Sequence, residues 1–287
     1  MSPILNDEKL NAFLYREGYV VLPMLSADEV KLLRDVYEKW HPTPPPEFYK
    51  SYFSPNEEYK REVEDLTMKL FVPKLDKYFI NYIPYGGMLV VKPNGPQGDF
   101  PPHQDWSFVD EQKHWSLNMW CALEDVNEAN GNMQMLRGSH RFMKTIRGSG
   151  TPDQYEAQRE LMQDYMTDIP MKAGEAIFFF HGILHGSSPN RSGKERVSIG
   201  LSLIEKDVPV YYHFKHMDSG KTEEFLANVN FYINYVSYRY KLPDTVKSLG
   251  YTDFTFPTMT DEELVEKIGK AKKELDTALN EELQVVH

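Results

Sequence analysis

The sequence predicts a mainly β protein with flanking helices, its core an antiparallel barrel or sandwich over about residues 85–205. Three observations carry that prediction. Five short runs rich in β-branched and aromatic residues follow one another: Met88–Lys92, Trp115–Leu123, Met133–Leu136, Ala176–Phe180 and Arg196–Ile204. Turn signals such as Asn130-Gly131 and Gly193 separate them, as hairpin connections require. Patterns of helical period appear before this region and after it.

The elements follow in chain order. Glu8 to Arg16 carries Leu10, Phe13 and Leu14 at helical spacing, and Gly18 stops it. Tyr19-Val20-Val21-Leu22 is a short β run closed by Pro23. Ser26 with Glu29 forms a capping box, each side chain accepting a hydrogen bond from the other residue's backbone N–H. Val30, Leu33, Val36, Tyr37 and Trp40 then form one core-facing stripe. The Pro-rich run from His41 to Pro46 ends that helix, because proline cannot donate into the ladder. The stretch to Tyr82 is mixed in character and is grouped with the N-terminal helices, 8–82.

Within the β region, Lys144 to Asp168 is a long polar excursion of the kind that suits a lid or substrate loop. Beyond it, Phe225, Val229, Tyr232, Tyr235 and Val236 predict a helix over Thr222–Tyr240 packed on the sheet. From Thr260 an acidic first turn and Lys-rich later turns predict a surface helix. Residues 220–287 are thus expected to be a helical extension, and 1–287 a single domain.

Composition excludes several functions. The chain has 287 residues with 32 Lys+Arg against 43 Asp+Glu, a net charge of −11, which argues against a nucleic-acid partner. Cys121 is the single cysteine, so no internal disulfide and no Cys-rich zinc site is possible, and a reducing cytoplasmic setting is expected. No secretory leader and no membrane-length apolar stretch is evident, and no membrane association is expected. Glycine-rich nucleotide loops, G-x-S-x-G and H-E-x-x-H are all missing.

The chemistry rests on His103-Gln-Asp105, His185 and Arg196. In an extended segment residues two apart share a face, so His103 and Asp105 can present an imidazole and a carboxylate to one ion. A second imidazole from another strand would complete two histidines and a carboxylate on one face of an octahedron. The opposite face stays open, which is the arrangement for non-haem Fe(II) oxygen activation.

The run from Gly174 through His185-Gly-Ser187-Ser-Pro-Asn190 to Arg196-Val-Ser198 resembles the distal half of the phytanoyl-CoA dioxygenase family of Fe(II)- and 2-oxoglutarate-dependent oxygenases. Lys92-Pro93, Pro102-His103-Gln104-Asp105-Trp106, Trp120 to Val126, Asn130-Gly131 and Arg137-Gly-Ser-His140 are similar to its proximal half. Phe13 to Pro23 resembles its opening, so the likeness covers about residues 10–205.

The resemblance implies a double-stranded β-helix, the jelly roll shared with cupins. It implies that His103, Asp105 and His185 ligate the metal. Arg196, 11 residues after His185, would pair with the far carboxylate of 2-oxoglutarate through its two-pronged guanidinium. Ser187 would hydrogen-bond this co-substrate and Trp120 would line its pocket. Met88-Leu-Val-Val91 lacks the polar side chains that some relatives offer there, so Asn118 is the candidate for that contact. The implied reaction hydroxylates an unactivated C–H of a small molecule with release of succinate and CO2. Asp105 favours this over halogenation, because halogenating relatives lack the carboxylate.

Phe108, Trp115, Asn118 and Tyr211 are expected to wall the substrate cavity, with 144–168 as lid. His181, at the wrong distance from Arg196, is read as wall or support, and His114 and His140 as structural. His213 and His216 are candidates for the barrel's mouth. Arg137, Arg141, Lys144 and Arg147 form a basic cluster, read as a solvated face or as a receptor for an anionic substrate. The competing reading is a non-catalytic, cupin-like metal-binding or scaffold protein; a third is an oxygenase that uses no keto acid. Substrate identity and oligomeric state are left open.

Overall fold

A computed structural model describes residues 3–234 and 242–284, with side chains to residues 232 and 277 of those stretches. Helices α1 (Glu8–Glu17) and α2 (Ala27–Trp40) flank strand β1 (Tyr19–Pro23), and the capping box of Ser26 and Glu29 is present. After the two-residue strand β2 (Tyr49–Lys50) comes α3 (Glu57–Tyr78). This is the ordered part of the stretch that reads as mixed in sequence. Asn56 caps α3 by accepting from the N–H groups of Glu58 and Tyr59. Tyr59, Val63, Thr67, Phe71 and Leu75, four apart, are its buried row. Pro73 inside the helix and a largely charged surface hide that row from a simple periodicity reading.

The β region contains β3 (Tyr82–Lys92), β4 (Phe100–His103), β5 (Ser116–Ala122), β6 (Met133–Met135), β7 (Thr167–Ile169), β8 (Glu175–Phe180), β9 (His185–Ser187) and β10 (Arg196–Glu205). They form two antiparallel sheets, ordered β1-β8-β5-β10-β3-β2 and β4-β9-β6-β7. This is the jelly roll. Side-chain parity assigns the two faces of the large sheet. Leu89, Val91, Leu117, Met119, Cys121, Phe178, Ile199 and Leu201 point outward into one core with Leu14, Leu33, Phe71 and Leu75 of the three helices. Trp120, Ala122, Ile177 and Phe179 point inward and meet Met133, Met135 and Ile169 of the small sheet. Covered on both sides, β10 is buried along its whole length. Each fully buried large apolar side chain there contributes roughly 1.5–3 kcal/mol.

The region after the jelly roll departs from the sequence expectation. Thr222–Ala227 is not helix but strand β12, paired with β11 (Val210–Lys215) and β13 (Lys247–Tyr251). Among the described residues, helix α5 covers Val229–Asn234. The sequence has the reason: Asp218-Ser-Gly220, with Gly220 at φ 69°, is a turn, and it sets His213 opposite Glu224 and Tyr212 opposite Phe225. Cross-strand pairs of this kind outweigh a coincidental helical spacing. Tyr235 and Val236 lie outside the described residues.

The final helix, α6 (Asp261–Gln284), begins with a reciprocal Thr260–Glu263 cap. It is not wholly a surface helix: Leu264, Ile268, Ala271 and Leu275 are buried. Leu264 and Ile268 pack with Leu136, Met143, Leu184 and, from the polar excursion, Tyr155 and Met162. That excursion, which includes the short helix α4 (Arg159–Gln163), is therefore anchored under α6. Among the described residues no helix is long and apolar enough to cross a membrane.

Candidate metal centre and anion pocket

A cavity open to solvent lies between the two sheets, and His103, Asp105, His185, Ser187, Trp120 and Arg196 all line it. His103 at the end of β4 and His185 at the start of β9 are direct partners across the ladder, their ring centres 4.4 Å apart. Asp105 follows two residues on, with Oδ2 3.6 Å from His185 Nε2. One donor atom from each of the three residues lies within 4.8 Å of the others.

Hydrogen bonds fix how these donors point. His103 Nδ1 stands 2.9 Å from the Pro101 carbonyl and His185 Nδ1 3.1 Å from the Ile183 carbonyl. A carbonyl only accepts, so each Nδ1 carries the proton, and each Nε2 is left with a lone pair for a metal. Asn118 Nδ2 donates to Asp105 Oδ2 at 2.9 Å, and the Asp105 N–H donates to the His181 carbonyl at 3.1 Å. Arg147 Nε donates to the Asp105 carbonyl at 2.5 Å while its NH2 pairs with Glu111 at 2.5 Å. Burial acts to raise the Asp105 pKa, but the imidazoles of His185, His103 and His181 and the Lys50 ammonium hold it well below the carboxylate range. Burial, then His103, brings His185 down to about 4. An ionised carboxylate and neutral imidazoles form a donor set that suits a divalent ion such as Fe(II).

Deeper in, Arg196 is 2% exposed, with its guanidinium 4.6 Å from the Trp120 ring centre. It donates to the Gly131 carbonyl, but its Nε has no partner among the described residues. Burial lowers its pKa to about 9. A desolvated guanidinium with an unused donor is a receptor waiting for a carboxylate. One cavity therefore holds both a donor set for a metal and a buried guanidinium.

The sequence profile of the phytanoyl-CoA dioxygenase family matches residues 14–198, well over half of the chain. The chain belongs to the phytanoyl-CoA dioxygenase family. A phytanoyl-CoA dioxygenase of Arabidopsis thaliana is 35% identical over 125 residues, 42% of this chain and 44% of the relative. A phytanoyl-CoA dioxygenase domain-containing protein 1 of Danio rerio is 26% identical over 161 residues, 53% and 55% of the two chains. The matches thus span about half the length of these curated relatives. Among solved structures, the non-haem α-ketoglutarate-dependent carbocyclase SnoK from nogalamycin biosynthesis superposes with a TM-score of 0.56. It is 19% identical, covering 76% of this chain and 92% of that one, and supports the fold alone.

Within this member of the phytanoyl-CoA dioxygenase family, not every expected site residue reaches the cavity. Asn118 lines it, but its amide is engaged with Asp105. Ser187 also lines it, and its Oγ accepts from Lys92 Nζ at 2.6 Å. Phe108, Trp115 and Tyr211 are not among the lining residues. Trp115 is buried in the helix-covered core, Phe108 packs edge-on against His181 and Tyr232, and the Tyr211 carbonyl accepts from the Tyr232 hydroxyl.

The polar excursion contributes no lining residue either, so it does not act as the expected lid in this structure. The half-buried Phe48, Lys50, Met88 and Phe100 supply the solvent side of the cavity, with the Phe48 and Phe100 rings 4.4 Å apart. No pattern in the sequence marks Phe48 and Lys50, which sit at a two-residue edge strand beyond a Pro-rich coil.

The basic cluster is dispersed into structural ion pairs: Arg137 with Glu17, Arg141 with Glu274 and Arg147 with Glu111. His114 pairs with Glu205, and His140 bonds the Tyr15 carbonyl and stacks on Phe180, both as structural groups. His213 and His216 pair with Glu224 and Glu223 on the C-terminal sheet and do not line the cavity.

Proposed function

We propose that the protein is a non-haem Fe(II)- and 2-oxoglutarate-dependent oxygenase that hydroxylates an unactivated C–H of a small molecule. The observation that carries this reading is the pairing, in one cavity, of the three-residue donor set with the buried Arg196, whose Nε is unused. When bound, Fe(II) with O2 and 2-oxoglutarate supplies the oxidising power, one oxygen atom ending in the substrate's hydroxyl and the other in succinate, as CO2 leaves.

The protein's own residues bind and aim. His103, Asp105 and His185 would hold the ion and leave its remaining positions to the reactants. Asn118 and Arg147 fix Asp105, the first at a carboxylate oxygen and the second at the main chain. Arg196 takes the far carboxylate of 2-oxoglutarate and Ser187 adds a hydrogen bond. Trp120 covers the guanidinium and excludes water from it. Phe48, Met88 and Phe100 border the remaining space, which favours a substrate with an apolar part near the metal.

The test is turnover of 2-oxoglutarate in air. With Fe(II), the wild-type protein should form succinate, and Asp105→Ala should reduce the rate at least a hundredfold. Arg196→Leu should raise the KM for 2-oxoglutarate at least tenfold through loss of a charged, two-pronged contact. A wild-type protein that binds metal but never forms succinate would be the scaffold of the competing reading.

A further inference from the structure

Behind Ser187, and not itself lining the cavity, lies a second buried cation that the roles above leave unused. Lys92, the last residue of β3, is 1% exposed and stands directly opposite Arg196 in the β3–β10 ladder. Its Nζ donates to Ser187 Oγ at 2.6 Å and to the Ser187 carbonyl at 3.2 Å. Among the described residues, no carboxylate lies within ion-pair distance of it. The charged groups that act on it are Arg196 from β10 and Asp99 from the turn before β4. Two desolvated cations that act on one another repel, and a bound anion relieves that repulsion.

The enclosure is close. A Cβ on Gly98 would come within 3.0 Å of Lys92 Cγ, and one on Gly131 within 3.1 Å of its Nζ. Gly131 also gives its carbonyl to Arg196, so one glycine, at φ 73°, packs against both cations. Burial and Arg196 together bring the Lys92 pKa down to about 7.

The donor inventory indicates what this does. An ammonium only donates, so the Ser187 oxygen accepts from it, and the serine's own proton points elsewhere. Among the described residues that hydroxyl proton has no acceptor, while Ser187 lines the cavity together with Arg196. We propose that Lys92 is a positioning residue of the co-substrate pocket: by donating to Ser187 it turns the serine hydroxyl into an obligate donor toward a carboxylate held at Arg196. This rests on the 2-oxoglutarate reading above.

The experiment is calorimetric titration of 2-oxoglutarate into Mn(II)-loaded protein, which reads binding without turnover. Lys92→Met and Ser187→Ala should each raise the dissociation constant about tenfold. The double variant should bind no more weakly than the weaker single one, because the two residues act in series. In the wild type, affinity should fall between about pH 6 and 8 as Lys92 loses its charge, below the range in which Arg196 titrates, and this slope should be shallower in Ser187→Ala.

Additive losses in the double variant overturn the proposal. So does unchanged binding by Lys92→Met in a protein that Arg196→Leu weakens. If Lys92→Met does not fold, the pH slope decides, and a slope between about pH 6 and 8 that is undiminished in Ser187→Ala overturns the proposal. Wild-type protein that binds no 2-oxoglutarate overturns both this proposal and the reading on which it rests.

Discussion

Asn118 and Trp115 stand three positions apart on one extended run, and parity places them on opposite faces. Trp115 shares its side with Leu117, Met119 and Cys121 in the helix-covered core, whereas Asn118 and Trp120 face the cavity. The inward position gives Asn118 its task, which is to hold in place Asp105 Oδ2, the oxygen 3.6 Å from His185 Nε2. Asn118→Ala should therefore weaken Mn(II) or Fe(II) binding about 10–100-fold, as loss of a hydrogen bond to a ligand does. The melting temperature of the metal-free protein should move little, since the freed carboxylate keeps some contact with water. Metal titration followed by calorimetry checks this, and an unchanged affinity would remove Asn118 from that role.

The elements that were legible in the sequence are those whose periodicity runs long enough to be counted. α1, α2, β5, β8 and β10 fall where their spacing predicts, and His103 and Asp105 are marked by a period of two. β4, β7 and β9 span three or four residues each, too few for any pattern, although β4 and β9 carry the two histidines. His185 and Arg196 were legible through a family resemblance and not through periodicity. Phe48 and Lys50 come from a two-residue edge strand whose place is fixed only by its pairing with β3.

The excursion at 144–168 shows the converse, because its polarity hides two anchors that only tertiary packing reveals. Tyr155 and Met162 sit against Leu264 and Ile268 of α6. Leu264→Ala should lower stability by about 2–5 kcal/mol through the cavity it leaves. It should not change 2-oxoglutarate affinity, because neither partner lines the pocket. Thermal unfolding alongside ligand titration tests both halves, and a loss of affinity would restore the excursion's role as a lid.

At the scale of the whole molecule, burial of neutral imidazoles couples the jelly roll to pH. His140, His181 and His185 are all nearly inaccessible, and burial brings their pKa values down to about 3, 4 and 4. Each titrates near 6.5 once the chain unfolds. Between about pH 6.5 and 4 the unfolded chain therefore binds more protons than the native one, and stability must rise with pH across that window. Asp105, held below its usual range, acts in the same direction at still lower pH. For the metal-free protein the melting temperature should fall steadily from pH 7 to 5, with up to about three protons taken up on unfolding. His140→Phe, which removes an imidazole stacked on Phe180 and remote from the cavity, should make that slope shallower by about one proton. Bound metal should protect more strongly at neutral pH than near pH 4, where His185 takes up the proton that ligation excludes. Calorimetric unfolding at stepped pH, with and without Mn(II), measures both effects, and a melting temperature independent of pH from 7 to 5 would contradict the burial of three neutral imidazoles.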